Sequence, residues 1–451
     1  MEEKLNELIS IGEKIVEKSR DIGADDLEIY ISFQETTNVR LITNYITTQS
    51  GIDVGAGIRV AIGKNVGFAS VSSTDIDKLL ETAKMAVKIA KTKGEDPNFR
   101  HLPDPMGAYS RVGIFDEHIY AMDVYEIAEK VKNVIKIAKD RAAKIRKIDV
   151  YLVKANYAFA VINSRGVNSG DYGAVFFNWL DLDVEDAGKH GKGMDFYITR
   201  KFNEAEFLET VNVATNMARE GLEAKNVGEA FEGDVLIEPM FLESLIWPLW
   251  YNISALNVQE KRSRFIGMIG KKVASDNLTL YDDGTLPEGV NTSACDDEGI
   301  PMRKKIVIEK GILKTYLYDT YTAYREEKES TGNAKRRGYR SQPSPQPTNF
   351  VFVPNTNKKL NDLIGEIDKG VLLRGEAMGS HLINPIKGSM AITCLNALYI
   401  EDGEVKYPLK AVSMSSDYFE FLNKIEKVGA DQRIVYQGKL APIIVRGVHF
   451  S

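Results

Sequence analysis

Catalytic groups are scarce in this chain, and their spacing excludes more chemistry than it offers. The five histidines, His101, His118, His190, His381 and His449, are scattered, and none is followed by Glu. A zincin-type hydrolase needs two imidazoles on one helical face with a general-base Glu beside them, so no self-contained zinc site is readable. Cys295 and Cys394 form no CxxC pair and are too few for a disulfide framework; they read as small buried apolar residues. No G-x-S-x-G elbow and no G-x-x-x-x-G-K-[ST] loop occurs, and "GKHGKG" reads as a turn. Asp181, Asp183 and Glu185 alternate along "NWLDLDVED", but a calcium loop needs Gly where Asp186 stands, so they read as a solvated strand face. Glu243, Asp296, Asp297 and Glu298 remain as hard oxygen donors that would suit Mg or Mn, and they keep an unconventional homodimeric peptidase open as an alternative.

Two stretches concentrate side-chain chemistry of another kind. Residues 238–252, "EPMFLESLIWPLWYN", have helical apolar spacing, and Pro248 should kink or end that helix. Trp247 and Trp250, with Leu245, Ile246 and Leu249, make a large apolar surface that is either internal core or the centre of an interface. Residues 330–350, "STGNAKRRGYRSQPSPQPTNF", gather Lys335, Arg336, Arg337 and Arg340 around Tyr339 and end in three prolines. This is a solvated loop, a loop that holds an extended peptide, or footing for nucleic acid. A net charge of −6 gives no long-range attraction to phosphates and disfavours the last.

The elements that must position these residues follow from periodicity. With 451 residues, 43% hydrophobic and 27% charged, the chain is long enough for two or three globular domains. No apolar run approaches the ~20 residues of a bilayer span, and the amphipathic N-terminus lacks the features of a secretory signal, so a cytoplasmic location is expected. Leu5, Leu8, Ile9, Ile15 and Val16 predict a first helix, with Gly12 a weak point on the same face and Gly23 its stop. Strands at "DLEIYISF", "TNVRLITN", "GIRVAIG" and "NVGFASVSS" follow, then a helix introduced by Thr74 and Asp75. The order repeats at an offset of roughly 120 residues: helix 124–145, strands "KIDVYLVKANY", "AFAVINSRG", "GAVFFNWLDLDVED" and "MDFYITRKF", and a helix capped at Asn203. The fold class is α+β. Units 1–110 and 111–226 duplicate a helix-strands-helix plan, joined by the proline-bearing stretch "EDPNFRHLPDPMGAYS", and a mostly β domain occupies 227–451. In that domain "IVIEKGILKTYL" and "ALYIEDGEVKYPL" predict hairpins with Gly at the turns.

The C-terminal half also carries longer motifs. Asp297-Glu298-Gly299-Ile300-Pro301, Glu309-Lys310-Gly311-Ile312-Leu313, Thr331-Gly332-Asn333 and Glu401-Asp402-Gly403-Glu404-Val405 resemble the TldD/PmbA (TldE) family, once called modulators of DNA gyrase. The resemblance extends over essentially the whole chain, by motif in the C-terminal half and by layout in the N-terminal half. It implies a protease of two subunit types acting on unstructured peptides. The TldD type carries zinc on an HExxxH helix with a distant cysteine ligand, and the PmbA/TldE type lacks the zinc motif. On this resemblance Glu243 and Ser244 stand at the His-Glu pair, Pro248 near the second His, and Gln437 at the cysteine. The chain is thereby similar to a PmbA/TldE-type subunit with no zinc of its own, paired with a zinc-bearing TldD-like subunit or with a second copy. Trp247, Trp250, Asn333, Arg336, Arg337 and Tyr339 are the candidates for lining a peptide cleft or a partner surface.

Overall fold

Strands far longer than average organise the N-terminal half of the computed structural model, which describes residues 1–42, 45–142 and 144–451. Helix α1 (Glu2–Glu17) leads into β1 (Asp26–Ile42), β2 (Tyr45–Ile62), β3 (Asn65–Val71) and α2 (Ile76–Thr92). A five-residue α3 (Glu117–Ala121) and α4 (Val124–Arg141) precede β4 (Lys144–Asn163), β5 (Asn168–Asp186), β6 (Lys189–Thr199) and α5 (Glu204–Gly221). The expected caps are made: Asp75 accepts from Lys78 N, and Asn203 from Ala205 N and Glu206 N. Each unit has three strands where four were expected, because the first two expected in each are one continuous strand, β1 and β4. Thr43 and Asn44, at the end of expected strand 37–44, and Ala143, within expected helix 124–145, lie outside the described residues.

The two units share one antiparallel sheet, ordered β3-β2-β1-β4-β5-β6, in which β1 pairs with β4 from Glu28↔Asn163 to Ile42↔Asp149. Period-two alternation gives this sheet two unlike faces. Leu27, Ile29 and Ile31 of β1, and Val150, Leu152, Ala158 and Ala160 of β4, pack into the helix-side cores. Gly12 allows α1 to approach closely, since a Cβ there would lie 2.4 Å from the Ile162 side chain; it is a contact point as well as a weak helix former. The opposite face turns toward the C-terminal domain, where Met194, Phe196 and Ile198 of β6 join the largest core.

The domain from residue 227 is mostly β, as expected. In its large sheet β7 (Phe231–Ile237) lies centrally, parallel to Lys369–Leu373 and antiparallel to Ile443–Phe450. A six-stranded sheet ends in Gly438–Leu440 and then the edge strand Arg433–Val435. Both expected hairpins form, with Lys310-Gly311 at φ 45° and 76° and Asp402-Gly403 at φ 54° and 74°, left-handed turns that suit the twist of the strands. Among the described residues no helix is long and apolar enough to cross a membrane.

Candidate functional site

The segment 238–253 is two short helices, α6 (Pro239–Glu243) and α7 (Trp247–Ile253). Pro248 sits in the first turn of α7, where its missing N–H has no intrahelical partner to lose, so it opens a second helix after a break at 244–246. Leu245, Ile246 and Leu249 are core. Trp247 and Trp250 pack against that core with part of each ring exposed, and Trp247 Nε1 donates to Ser380 O at 2.8 Å.

Glu238 and Glu243 flank α6 and carry its chemistry. Burial pushes each carboxyl up to about 7, against partial relief from nearby arginines and backbone N–H groups. Glu238 Oε1 accepts from Gly375 N at 2.7 Å, and Glu243 Oε1 accepts from Gln437 N at 3.0 Å. The structure therefore brings together Glu243 and Gln437, 194 residues apart, the two positions at which the resemblance places metal ligands. The guanidinium of Arg433 faces them from the edge strand, where it pairs with Asp195 of β6 at 2.8 Å. Cys394 is buried nearby, its Sγ directed at Arg374 O and its thiol pushed up to about 12 by burial. Zinc does not fit this donor set: no imidazole is present, the thiol is held neutral, and one Glu243 oxygen is engaged by a backbone N–H. Among the described residues no group of three or more His, Cys, Asp or Glu is placed to hold a metal ion.

The hard-oxygen alternative also fails to assemble. Asp296 accepts from the backbone N–H groups of Glu298, Ile300 and Ala334, and Asp297 accepts from Arg336 N at 2.6 Å. Glu298 accepts from Thr320 N and from Arg59, each at 2.8 Å, while Glu243 stands apart from all three beside Gln437. These carboxylates hold a fold together.

The basic loop is likewise tied into the fold. Arg336 is buried; it pairs with Glu28 of β1, donates to Asp297 O and Ser341 O, and lies over the Tyr30 ring. Glu28 in turn pairs at 2.8 Å with Arg59, its cross-strand partner on β2, and Arg59 reaches Glu298 at 2.8 Å. Burial opposes ionisation of Glu298, but Arg59 and the Thr320 N–H hold its pKa below the usual carboxylate value. Asn333 is spent on Asp282 Oδ2 and Gln346 O. Tyr339 is buried over the face of β2 at Gly55, its hydroxyl 2.7 Å from Ser72 Oγ. A Cβ at Gly57 would lie 2.2 Å from Tyr339 O, so the strap passes directly over backbone. Of the four candidates in this loop, Arg337 alone has an exposed side chain. Glu28 and Arg59 escaped sequence reasoning because a charge on alternate strand positions looks like an ordinary solvent face.

Between the open face of the N-terminal sheet and residues 290–302 and 335–338 lies a cleft of about 600 Å³. Tyr436, beside Gln437, forms part of its rim. A second cavity of about 660 Å³ lies against α5 and Arg433.

Comparison with known proteins places this architecture. Residues 231–451 match the family model described as PmbA/TldA metallopeptidase C-terminal domain, and residues 27–90 match PmbA/TldA metallopeptidase domain 1. An uncharacterized protein of Methanocaldococcus jannaschii is 30% identical over 97% of this chain and 99% of its own length. A protein named metalloprotease TldD homolog, from Buchnera aphidicola, is 25% identical over 85% of this chain and 80% of its own. The crystal structure of TldE from Thermococcus kodakarensis, 24% identical, superposes with a TM-score of 0.89 over 98% of this chain and 100% of that one, a likeness of fold. With both family domains matched and a relative at 30% identity along nearly its full length, the chain belongs to the PmbA/TldD family of metallopeptidases.

Proposed function

We propose that this chain is a PmbA/TldE-type subunit without zinc, which pairs with a TldD-like subunit to form a cytoplasmic protease for unstructured peptides. One observation carries the choice of subunit: Glu243 and Gln437 meet at 3.0 Å, with Arg433 facing them and no imidazole or thiolate in reach. Relatives under both subunit names match the chain, so the choice rests on these residues. A half-buried arginine beside two carboxyls supplies the positive charge that a metal would otherwise bring, without a Lewis-acid position for water. The zinc chemistry belongs to the partner, and this chain contributes cleft wall and partner surface. Unfolded peptides fit such a role because extended backbone can thread a cleft or pair with a strand edge where a folded domain cannot. Two free buried cysteines accord with a reducing compartment.

The test is co-purification from native extract, followed by hydrolysis of an unfolded peptide by the chain alone, by an HExxxH partner alone, and by both. The proposal expects turnover only when the partner is present, abolished by a chelator. Chelator-sensitive turnover by this chain alone would overturn it.

A further inference from the structure

The cleft of about 600 Å³ has a composition unlike an ordinary solvent face. Its floor is made by alternate residues of β1, β4 and β5, so that Tyr30, Tyr157, Phe159 and Phe177 point the same way. Tyr30 and Phe159 stack with ring centroids 5.7 Å apart. Tyr30 and Phe159 are buried, Tyr30 under Arg336, whereas Tyr157 and Phe177 keep part of their surface open, and aromatic surface on a concave wall gains by covering with another apolar group.

The polar groups restrict what can cover it. Ser293 Oγ lines the cleft, is buried, and has no hydrogen-bond partner in the protein. Asp297 presents a carboxylate whose Oδ2 is taken by Arg336 N, and Lys335 lies beside it. Asp53 lies at the rim, 3.6 Å from the Arg340 guanidinium, and Arg336 is itself paired with Glu28. Two acidic and two basic side chains thus line the cleft, so it favours neither a phosphate-bearing ligand nor a polycation. A neutral chain of amides with a bulky apolar side chain satisfies both the rings and the orphan hydroxyl.

We propose that this cleft is a side-chain pocket that selects neutral peptide segments carrying an aromatic residue, with Tyr157 and Phe177 meeting the ring beside the buried Tyr30–Phe159 stack and Ser293 meeting the backbone. The peptide class rests on the function proposed above; the preference for an aromatic residue rests on the pocket. Tyr436 on the rim precedes Gln437, so the bound segment lies beside the Glu243–Gln437 contact.

Binding to the purified full chain is measured by fluorescence anisotropy with labelled pentapeptides, blocked at their free ends, whose central residue is Phe, Gly or Asp among glycines. The Phe peptide is expected to bind at least tenfold more tightly than the others. Ala155→Trp fills the cleft from β4, and Ser32→Trp fills it from β1; each should weaken Phe-peptide binding at least tenfold with the circular dichroism unchanged. If one variant does not fold, the other carries the test. Equal affinity for the three peptides, or undiminished binding in a folded filled variant, overturns the proposal. Selective binding by the lone chain together with failure to stimulate any HExxxH partner supports the pocket and counts against the pairing.

Discussion

Two clusters of carboxylates and arginines, one buried and one half-buried, meet the same electrostatic problem with different pairing. In the strap cluster, Glu28 and Glu298 each lie 2.8 Å from the Arg59 guanidinium, and Arg336 closes the other side of Glu28. Contact pairing there overcomes burial and holds Glu298 below its ordinary pKa. Around α6, Arg433 makes its short contact with Asp195, so Glu238 and Glu243 feel it at a distance, and burial wins. The first cluster is a clamp between the N-terminal sheet and the C-terminal domain, yet Asp319 beside it, buried and facing the Glu298 charge, is pushed up to about 7 just as Glu238 and Glu243 are. Contact with a guanidinium, and not burial alone, decides which of these carboxyls stays ionised.

The sharpest way to break this comparison is to remove the central guanidinium of each cluster. Arg59→Met leaves one buried carboxylate, Glu298, with no cationic partner and Glu28 with Arg336 alone, and should cost about 3–5 kcal/mol in urea unfolding. Arg433→Met leaves one, Asp195, whose pKa burial already raises, so it can take up a proton; the loss should be less than half as large. Equal losses would mean that the clusters are not electrostatically different.

A titration separates them next. Folding raises the Glu243 carboxyl from 4.5 to about 7, so between those values the native state binds more protons than the unfolded chain. Stability contributed by the group is full below pH 4.5 and is lost as pH rises through 7. Glu243→Gln keeps an acceptor for Gln437 N and removes the titration. Discounted for partial exposure, it should gain about 1–2 kcal/mol at pH 8 and little at pH 4.5. Parallel unfolding midpoints for parent and variant across this range would refute the assignment. A smaller effect tests the packing of α7: Trp247→Phe removes the bond to Ser380 O and should cost about 1 kcal/mol.

Local structure was legible in the sequence wherever one or two residues decide it. Asp75 and Asn203 cap their helices, Gly311 and Gly403 turn their hairpins, and the repeated order of elements announced the duplication. The strands were misjudged where polar residues interrupt them. "QET" at 34–36 separates two expected strands, yet pairing on both sides carries β1 straight through it. A second expected break falls between Tyr157 and Ala158, yet β4 runs through both, with Asn156 buried in it and its amide donating to Glu35 and to Tyr120 O. The clamp was invisible for a different reason: Arg59 and Glu298 are 239 residues apart, and no local pattern encodes an ion pair of that span. The Glu243–Gln437 contact was foreshadowed only by resemblance to a family, since neither residue stands out by its neighbours.

The finest version of the comparison lies within one pair of adjacent arginines. Arg336 and Arg337 share a loop, a charge and a place in the sequence motif, and differ in where the strap points them. Arg336 lies in the clamp with Glu28, whereas the side chain of Arg337 is exposed and only its backbone N–H is held, by Ser341 Oγ at 2.7 Å. Arg337→Ala keeps that backbone bond and leaves no buried charge, so its unfolding free energy should stay within ~0.5 kcal/mol of the parent. Arg336→Ala should lose several kcal/mol, because Glu28 keeps Arg59 as its only cationic partner and the Tyr30 ring loses its cover. Thermal melts of the two variants side by side decide the point: a comparable drop in both would show that the loop is stabilised by its overall charge, and the clamp would lose its special status.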